Sequence, residues 1–219
     1  NIIYYDKNDK GLGNQLSRNL DVRVVWGGQE AVEAIRGLEK TIDTTDIIFG
    51  PKYSFAIIDK SFLNETTTAK RLAQKLAFDI SSFEQRGCNS PHTLFVEEGG
   101  KVDPNRFCDY IGEGLESVLK FIPKEPLPPQ TASKIINARI KYGFTGKVVS
   151  SKGTEWTVLF SKEEEGIAEP CFGRTVFVRQ VNDISEIIKY VKHSHQTVGL
   201  AVDPKRKLEI AEELSKYGI

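Results

Sequence analysis

Hydrophobic positions along this 219-residue chain fall into two periods, short β-branched runs and longer stripes at helical spacing. The run Asp21 to Trp26 carries Val22, Val24 and Val25 and stops at Gly27-Gly28, which predicts a strand. Gln29 to Gly37 then sets Ala31, Ala34 and Ile35 on one helical face. Two more strands are expected at Ile47 to Phe49, broken by Gly50-Pro51, and at Phe55 to Ile58, ending at Asp59. Asn64 can cap a helix whose stripe is Ala69, Leu72, Ala73, Leu76 and Ile80. Beyond Cys88, Thr93 to Val96 reads as a strand. Asp103-Pro104 opens a helix burying Phe107, Ile111, Leu115, Val118, Leu119 and Ile122.

Pro123 to Gln130 holds four of the nine prolines and predicts an extended connector. A short helix near Ala132 to Ile140 follows, then a hairpin with strands around Lys147 to Val149 and Trp156 to Phe160. A strand at Thr175 to Val181 leads into Asp183-Ile184-Ser185-Glu186, which has capping-box form; Ile184, Ile187, Ile188 and Val191 take helical spacing after it. Val198 to Val202 is a further strand, and Asp203-Pro204 opens a last helix that stops at Gly218. Strands alternating with helices give an α/β class, a mostly parallel sheet with helices on both faces.

Composition narrows the function classes. Thirty basic residues balance thirty acidic ones, against the basic excess of a general nucleic-acid binder. No apolar stretch approaches the ~20 residues of a membrane span. Three scattered cysteines, Cys88, Cys108 and Cys171, do not make a disulfide framework, so a reduced, cytoplasmic chain is expected. No charged-then-apolar leader is visible. Methionine is absent even at position 1, which predicts a trimmed piece of a longer polypeptide.

Candidate chemistry concentrates at Glu84-Gln85-Arg86-Gly87-Cys88-Asn89-Ser90-Pro91. Cys108 lies in an apolar stripe, as structural cysteines do, whereas Cys88 follows a glycine in polar surroundings between a helix and a strand. Gly87 would let a substrate come close, and a thiolate there would be a strong nucleophile. A free thiol has a pKa of about 8.5, so that role needs stabilisation from backbone N–H groups or Arg86. The alternative is an unreactive loop cysteine. His92, four residues on, offers either a Cys–His pair or the first residue of the strand. Trp26-Gly27-Gly28-Gln29 is a strand, two glycines and a helix, a junction that aims helix N–H groups at an anion, although many such turns use glycine for sterics only. Gly11-Leu12-Gly13 lacks the third glycine of a dinucleotide fingerprint. His193 and His195 lack a third metal ligand, so no metal site is expected. Lys162 to Glu165 reads as a solvated hairpin end.

These segments, in this order, resemble the aldehyde dehydrogenase superfamily and, within it, the long-chain acyl-CoA reductases, whose best-known members are the fatty-acid reductase subunits of bacterial luminescence. Asp21 to Ala31 is similar to the family's strand–W-G-G–helix segment, Asp46 to Asp59 to its F-G-P-K-x-S segment, Phe83 to Val96 to the nucleophile segment, and Phe172 to Val181 to a later core strand. Thr197 to Gly218 follows the superfamily's strand and helix before its C-terminal region. The resemblance implies an aldehyde-dehydrogenase-like fold in which residues 1–50 close the nucleotide-binding domain and residues 51–219 form a thiol catalytic domain, incomplete at its C-terminus. It implies Cys88 as the nucleophile; Gly27 and Gly28 at the cofactor pyrophosphate; Glu169 as the candidate for the nicotinamide ribose; Trp26 and Phe172 as further cofactor-binding residues; and NADPH as cofactor.

Two departures carry meaning. Hydrolytic members place a water-activating glutamate where this chain has Ile48, so hydrolysis of an acyl-enzyme should be slow. In Glu169-Pro170-Cys171-Phe172, Pro170 takes the place of the superfamily's ribose-binding glutamate, and Glu169 stands one residue earlier. The expected function is NADPH-dependent reduction of a fatty acyl thioester, acyl-CoA or acyl-protein, to the aldehyde through an acyl-cysteine. Lys52, Arg86 and Ser90 are candidate helpers. The alternatives are a short-chain CoA-acylating aldehyde dehydrogenase and a non-catalytic assembly subunit. The resemblance further implies a homo-oligomer and an acyl-protein synthetase as partner.

Overall fold

A computed structural model gives the fold and describes residues 2–219. It divides between Lys52 and Tyr53 into two units, Asn1–Lys52 and Tyr53–Ile219.

In the first unit, α1 (Lys10–Arg18), β1 (Val22–Trp26), α2 (Gln29–Arg36) and β2 (Thr45–Phe49) build a two-stranded parallel ribbon with helices. Its centre is polar. Arg23 is buried and donates from Nε to Asp46 Oδ1 at 2.6 Å and from Nη2 to Asp46 Oδ2 at 2.8 Å. Its Nη1 reaches Ser17 Oγ at 2.8 Å and the Ile35 carbonyl at 3.1 Å. Hydrogen bonds from Arg23 and Lys40 hold the Asp46 carboxyl well below the usual carboxylate range. Because side chains alternate along a strand, turning Arg23 and Val25 inward leaves Val22, Val24 and Trp26 exposed.

The second unit contains β3 (Tyr53–Ile58), α3 (Thr66–Ser81), β4 (Pro91–Glu97), α4 (Pro104–Val118), α5 (Pro129–Thr145), β5 (Lys147–Ser150), β6 (Thr157–Ser161), β7 (Thr175–Val181), β8 (His195–Ala201) and α6 (Pro204–Ser215). The six strands run in the order β5-β6-β7-β4-β3-β8, and every pair except β5–β6 is parallel. On one face, Ala56, Ile58, Leu94, Val96, Val158 and Val178 pack under α3 and α4. The alternate residues face the other side, Phe55, Ile57 and Phe95 toward α6 and Leu159 and Phe177 toward α5. Gly114 allows α4 this close to α3, since a Cβ there would lie 3.0 Å from Ala77 Cβ and 3.1 Å from the Ala73 carbonyl oxygen. Among the described residues, no helix is long and apolar enough to cross a membrane.

Several local expectations are corrected. Asn64 does not cap α3; it ends a 3-10 turn, Lys60–Leu63, whose start is capped by Asp59, and Glu65 precedes α3 without a side-chain cap. The proline connector ends at Pro128, because Pro129 has the fixed φ suited to a first helical residue, and α5 runs on to Thr145. Residues Ile184–Tyr190 form a 3-10 segment rather than an α-helix, with Asp183 capping Ser185 N at 2.8 Å. His195 is the buried first residue of β8, and its Nδ1 accepts from Lys192 N at 2.9 Å.

Candidate active site

The sheet's N-terminal edge gathers the residues of interest: Tyr53 and Ser54 at the start of β3, Cys88 to His92 entering β4, Phe172 to Thr175 entering β7, and His195 opening β8. Register breaks here. Ser54 pairs with Pro91 but Phe55 with Thr93, so His92 is the extra residue of a bulge, and β8 carries an extra residue against Tyr53–Phe55. Such irregularities re-aim side chains at a strand's end.

Cys88 lies in a tight turn closed by Ser90 N donating to the Gly87 carbonyl at 3.0 Å. Ser54 Oγ donates to the Cys88 carbonyl, tying that turn to β3. The thiol residue is half-buried, unlike Cys108 and Cys171, which are buried. Burial pushes the Cys108 thiol up to about 12 and also raises that of Cys171. Among the described residues, the Cys88 and Asn89 N–H groups donate to nothing, so two adjacent backbone donors remain uncommitted beside the sulfur-bearing residue.

Upstream, Phe83, Glu84 and Gln85 have φ of 53°, 53° and 61°; facing them, Phe172, Gly173 and Arg174 have φ of 62°, 62° and 59°. Left-handed backbone costs a non-glycine residue about 1–2 kcal/mol, so both turns must be held. Fully buried Arg174 pairs with Glu84, which also meets Lys124, and Arg174 donates to the Ile122 and Pro123 carbonyls at 2.9 and 3.0 Å. Gln85, also fully buried, bonds Thr175 and Pro91.

Residues on either side of Cys88 in sequence line two cavities. One of about 430 Å³ is lined by Phe55, Leu72, Leu76, Phe83, Asn89 and Ser90; another of about 300 Å³ by Glu84, Arg86, Leu127, Thr131, Phe172 and Gly173. Phe172 meets the His92 ring edge-on at 5.1 Å between centroids, and Tyr53 meets it at 6.2 Å. Burial lowers the His92 imidazole to about 4, so the ring is neutral near pH 7. Glu169 is largely exposed, 3.6 Å from the Lys134 ammonium, on the wall of a cavity of about 410 Å³ with Tyr53, Lys189, Lys192 and His195.

In the first unit, Trp26 ends β1 and is exposed, and Gly28 precedes α2 with no side-chain cap. A Cβ on Gly28 would meet nothing within 4 Å, whereas one on Gly27 would come within 3.1 Å of Ala31 Cβ. No role was legible from sequence for Glu84 and Gln85 as holders of the turn, nor for Ser54 and Arg174, which stood only as members of longer matching segments. A lone arginine between Phe172-Gly173 and the apolar run Thr175 to Val178 was the available signal for Arg174. Among the described residues, no group of His, Cys, Asp and Glu is arranged to hold a metal.

The family described as acyl-CoA reductase (LuxC) matches residues 1–219. Among curated relatives, a long-chain acyl-protein thioester reductase of Vibrio harveyi is 26% identical over 201 residues, 90% of this chain and 40% of the relative. The second such reductase of Photobacterium leiognathi is 28% identical, covering 91% of this chain and 40% of the relative. This chain thus spans about 40% of the length of those relatives. Similar solved structures include an NAD-dependent aldehyde dehydrogenase of Burkholderia multivorans, with a TM-score of 0.68 at 13% identity over 96% of this chain and 42% of that one. An NADP-dependent glyceraldehyde-3-phosphate dehydrogenase of Bacillus halodurans, complexed with NADP, also has a TM-score of 0.68, at 17% identity over 93% of this chain and 44% of that one. The fold is therefore aldehyde-dehydrogenase-like.

Proposed function

The chain belongs to the acyl-CoA reductase (LuxC) family, and from that premise we propose that it carries the thiol site of an enzyme reducing a fatty acyl thioester to the aldehyde. The observation that carries this reading is Cys88 itself: half-buried, in a braced turn, with two uncommitted backbone N–H groups beside it. The Cys88 thiolate attacks the acyl carbonyl, the C–S bond forms, and the donor thiolate leaves as the tetrahedral intermediate collapses. The free N–H groups of Cys88 and Asn89 are the candidate donors to the oxyanion. The result is an acyl-cysteine, and release of the aldehyde returns the sulfur as a thiolate. Where the sequence of hydrolytic aldehyde dehydrogenases has a water-activating glutamate this chain has Ile48, a sequence departure that supports slow hydrolysis of the acyl-enzyme.

A reduced nicotinamide, NADPH in this proposal, would supply the hydride. Each unit, taken by itself, has features that support this reading. In the first unit, the space over Gly28 and the uncapped start of α2 suit a pyrophosphate, with Trp26 and Gly27 shaping the turn. In the second, the exposed Glu169 carboxylate can accept from ribose hydroxyls, and partly exposed Phe172 offers an aromatic edge. The names of the curated relatives support an acyl-protein thioester as donor, and a synthetase partner and a homo-oligomer belong to the same proposal.

Iodoacetamide at neutral pH tests the nucleophile. Cys88 should alkylate well ahead of Cys108 and Cys171. Equal, slow modification of all three would favour an inert assembly subunit.

A further inference from the structure

We infer that Gln85 is a positioning residue for Cys88, its buried amide clamping the turn that carries the thiol to the first residues of two neighbouring strands. The inference rests on the reading of Cys88 as nucleophile. Gln85 Oε1 accepts from Thr175 N at 2.9 Å, and Nε2 donates to the Thr175 and Pro91 carbonyls, each at 2.9 Å. Exchanging both bonds with Thr175 is what a peptide group does in a sheet. The β4–β7 ladder begins at Thr93 and Phe177, so Pro91 and Thr175 stand just before it, and Pro91 has no N–H to give. The Gln85 side chain continues the ladder by one pair across the gap.

That bond set fixes the chain three residues ahead of the sulfur. Gln85 itself is left-handed, with φ of 61°, a conformation glutamine does not hold unaided. Glu84 gives the same turn a second anchor through Arg174, and Ser54 holds it downstream at the Cys88 carbonyl. Releasing the upstream anchor lets the Cys88 and Asn89 N–H groups swing relative to the acyl carbonyl. Misplacement of about 1 Å can cost about 100-fold in rate.

Gln85→Glu keeps the size and the acceptor but replaces the double donor with oxygen. The test follows transfer of a labelled fatty acyl group from acyl-CoA to Cys88, iodoacetamide alkylation of Cys88, and thermal melting. The comparison variant is Arg139→Ala, which removes bonds of similar number to Thr157, Gly153 and Trp156 in the β5–β6 region. We expect Gln85→Glu to slow acylation by about tenfold or more. Alkylation, which needs no oxyanion donor, should change by less than about threefold, and Arg139→Ala should acylate near the wild-type rate despite a comparable fall in melting temperature. Should Gln85→Glu not fold, Gln85→Met is read in the same way. Wild-type acylation rates in the Gln85 variants, or equal slowing in Arg139→Ala, would overturn the positioning role alone. A wild-type protein that takes no label at Cys88 would overturn the nucleophile reading beneath it.

Discussion

His92 should make the protein lose stability as the pH falls through the mildly acidic range. The ring is 2% exposed, packed edge-on against Phe172 and Tyr53, and its Nδ1 has no hydrogen-bond partner among the described residues. Desolvation lowers its folded pKa from the ordinary 6.5 to about 4. The sign follows from proton uptake: between those values the unfolded chain binds the proton and the folded chain does not, so acid favours unfolding. The full difference is worth about 3 kcal/mol, and about 2 kcal/mol of it is lost between pH 7 and pH 5. With a urea m-value of about 2 kcal/mol/M, the midpoint should fall by about 1 M over that interval from this residue alone. Urea unfolding of the wild type and of His92→Phe at pH 7, 6 and 5 isolates the contribution as the difference in slope. If both proteins lose stability in parallel, the buried neutral imidazole is not the cause of the acid sensitivity.

Two further outcomes concern the scaffold. Arg206 donates to both oxygens of fully buried Glu97, at 3.1 and 2.8 Å, and Lys60 offers that carboxylate only a backbone bond at 3.1 Å and an ammonium at 3.8 Å. Arg206→Ala should therefore cost about 3 kcal/mol, read as a melting point lower by about 6–12 °C; a fall under about 2 °C would show that the pair is not needed. Alanine at two glycines should act with opposite signs. At Gly173, with φ of 62° and a Cβ within 3.0 Å of Leu127 and 3.1 Å of Ile135, it should destabilise by about 1–3 kcal/mol. At Gly143, inside α5 with nothing near its Cβ, it should stabilise by about 0.5–1 kcal/mol. Differential scanning calorimetry of both variants decides this, and a shift of the same sign in both would contradict the geometry.

The parts of the fold written in local chemistry were legible. Asp103-Pro104 and Asp203-Pro204 do open helices, with Asp103 and Asp203 accepting from the backbone two residues on. The stripe from Phe107 to Val118 is the buried side of α4. Asn64 misled because a cap signal does not say which of two successive turns it serves. Asp21 to Trp26 was legible as a strand, but its buried face was not, because Arg23 turns inward to bond Asp46, Ser17 and the Ile35 and Leu38 carbonyls. At the candidate site, a glycine before a cysteine in polar surroundings marked Cys88 as a candidate, with an inert loop cysteine as the alternative. The residues that brace it were hidden by distance along the chain, since Gln85 and Glu84 each find their partners 90 residues away at Thr175 and Arg174. Three successive left-handed residues without glycine, Phe83 to Gln85, have no composition that announces them.

Labelled long-chain acyl-CoA, followed by proteolysis and mass spectrometry, addresses the sulfur directly. One acylated peptide is expected, bearing the label on Cys88 as a hydroxylamine-sensitive thioester and lost in Cys88→Ala. Label that remains in Cys88→Ala, or that lies on Cys171 or on a lysine in the wild type, would contradict the nucleophile reading.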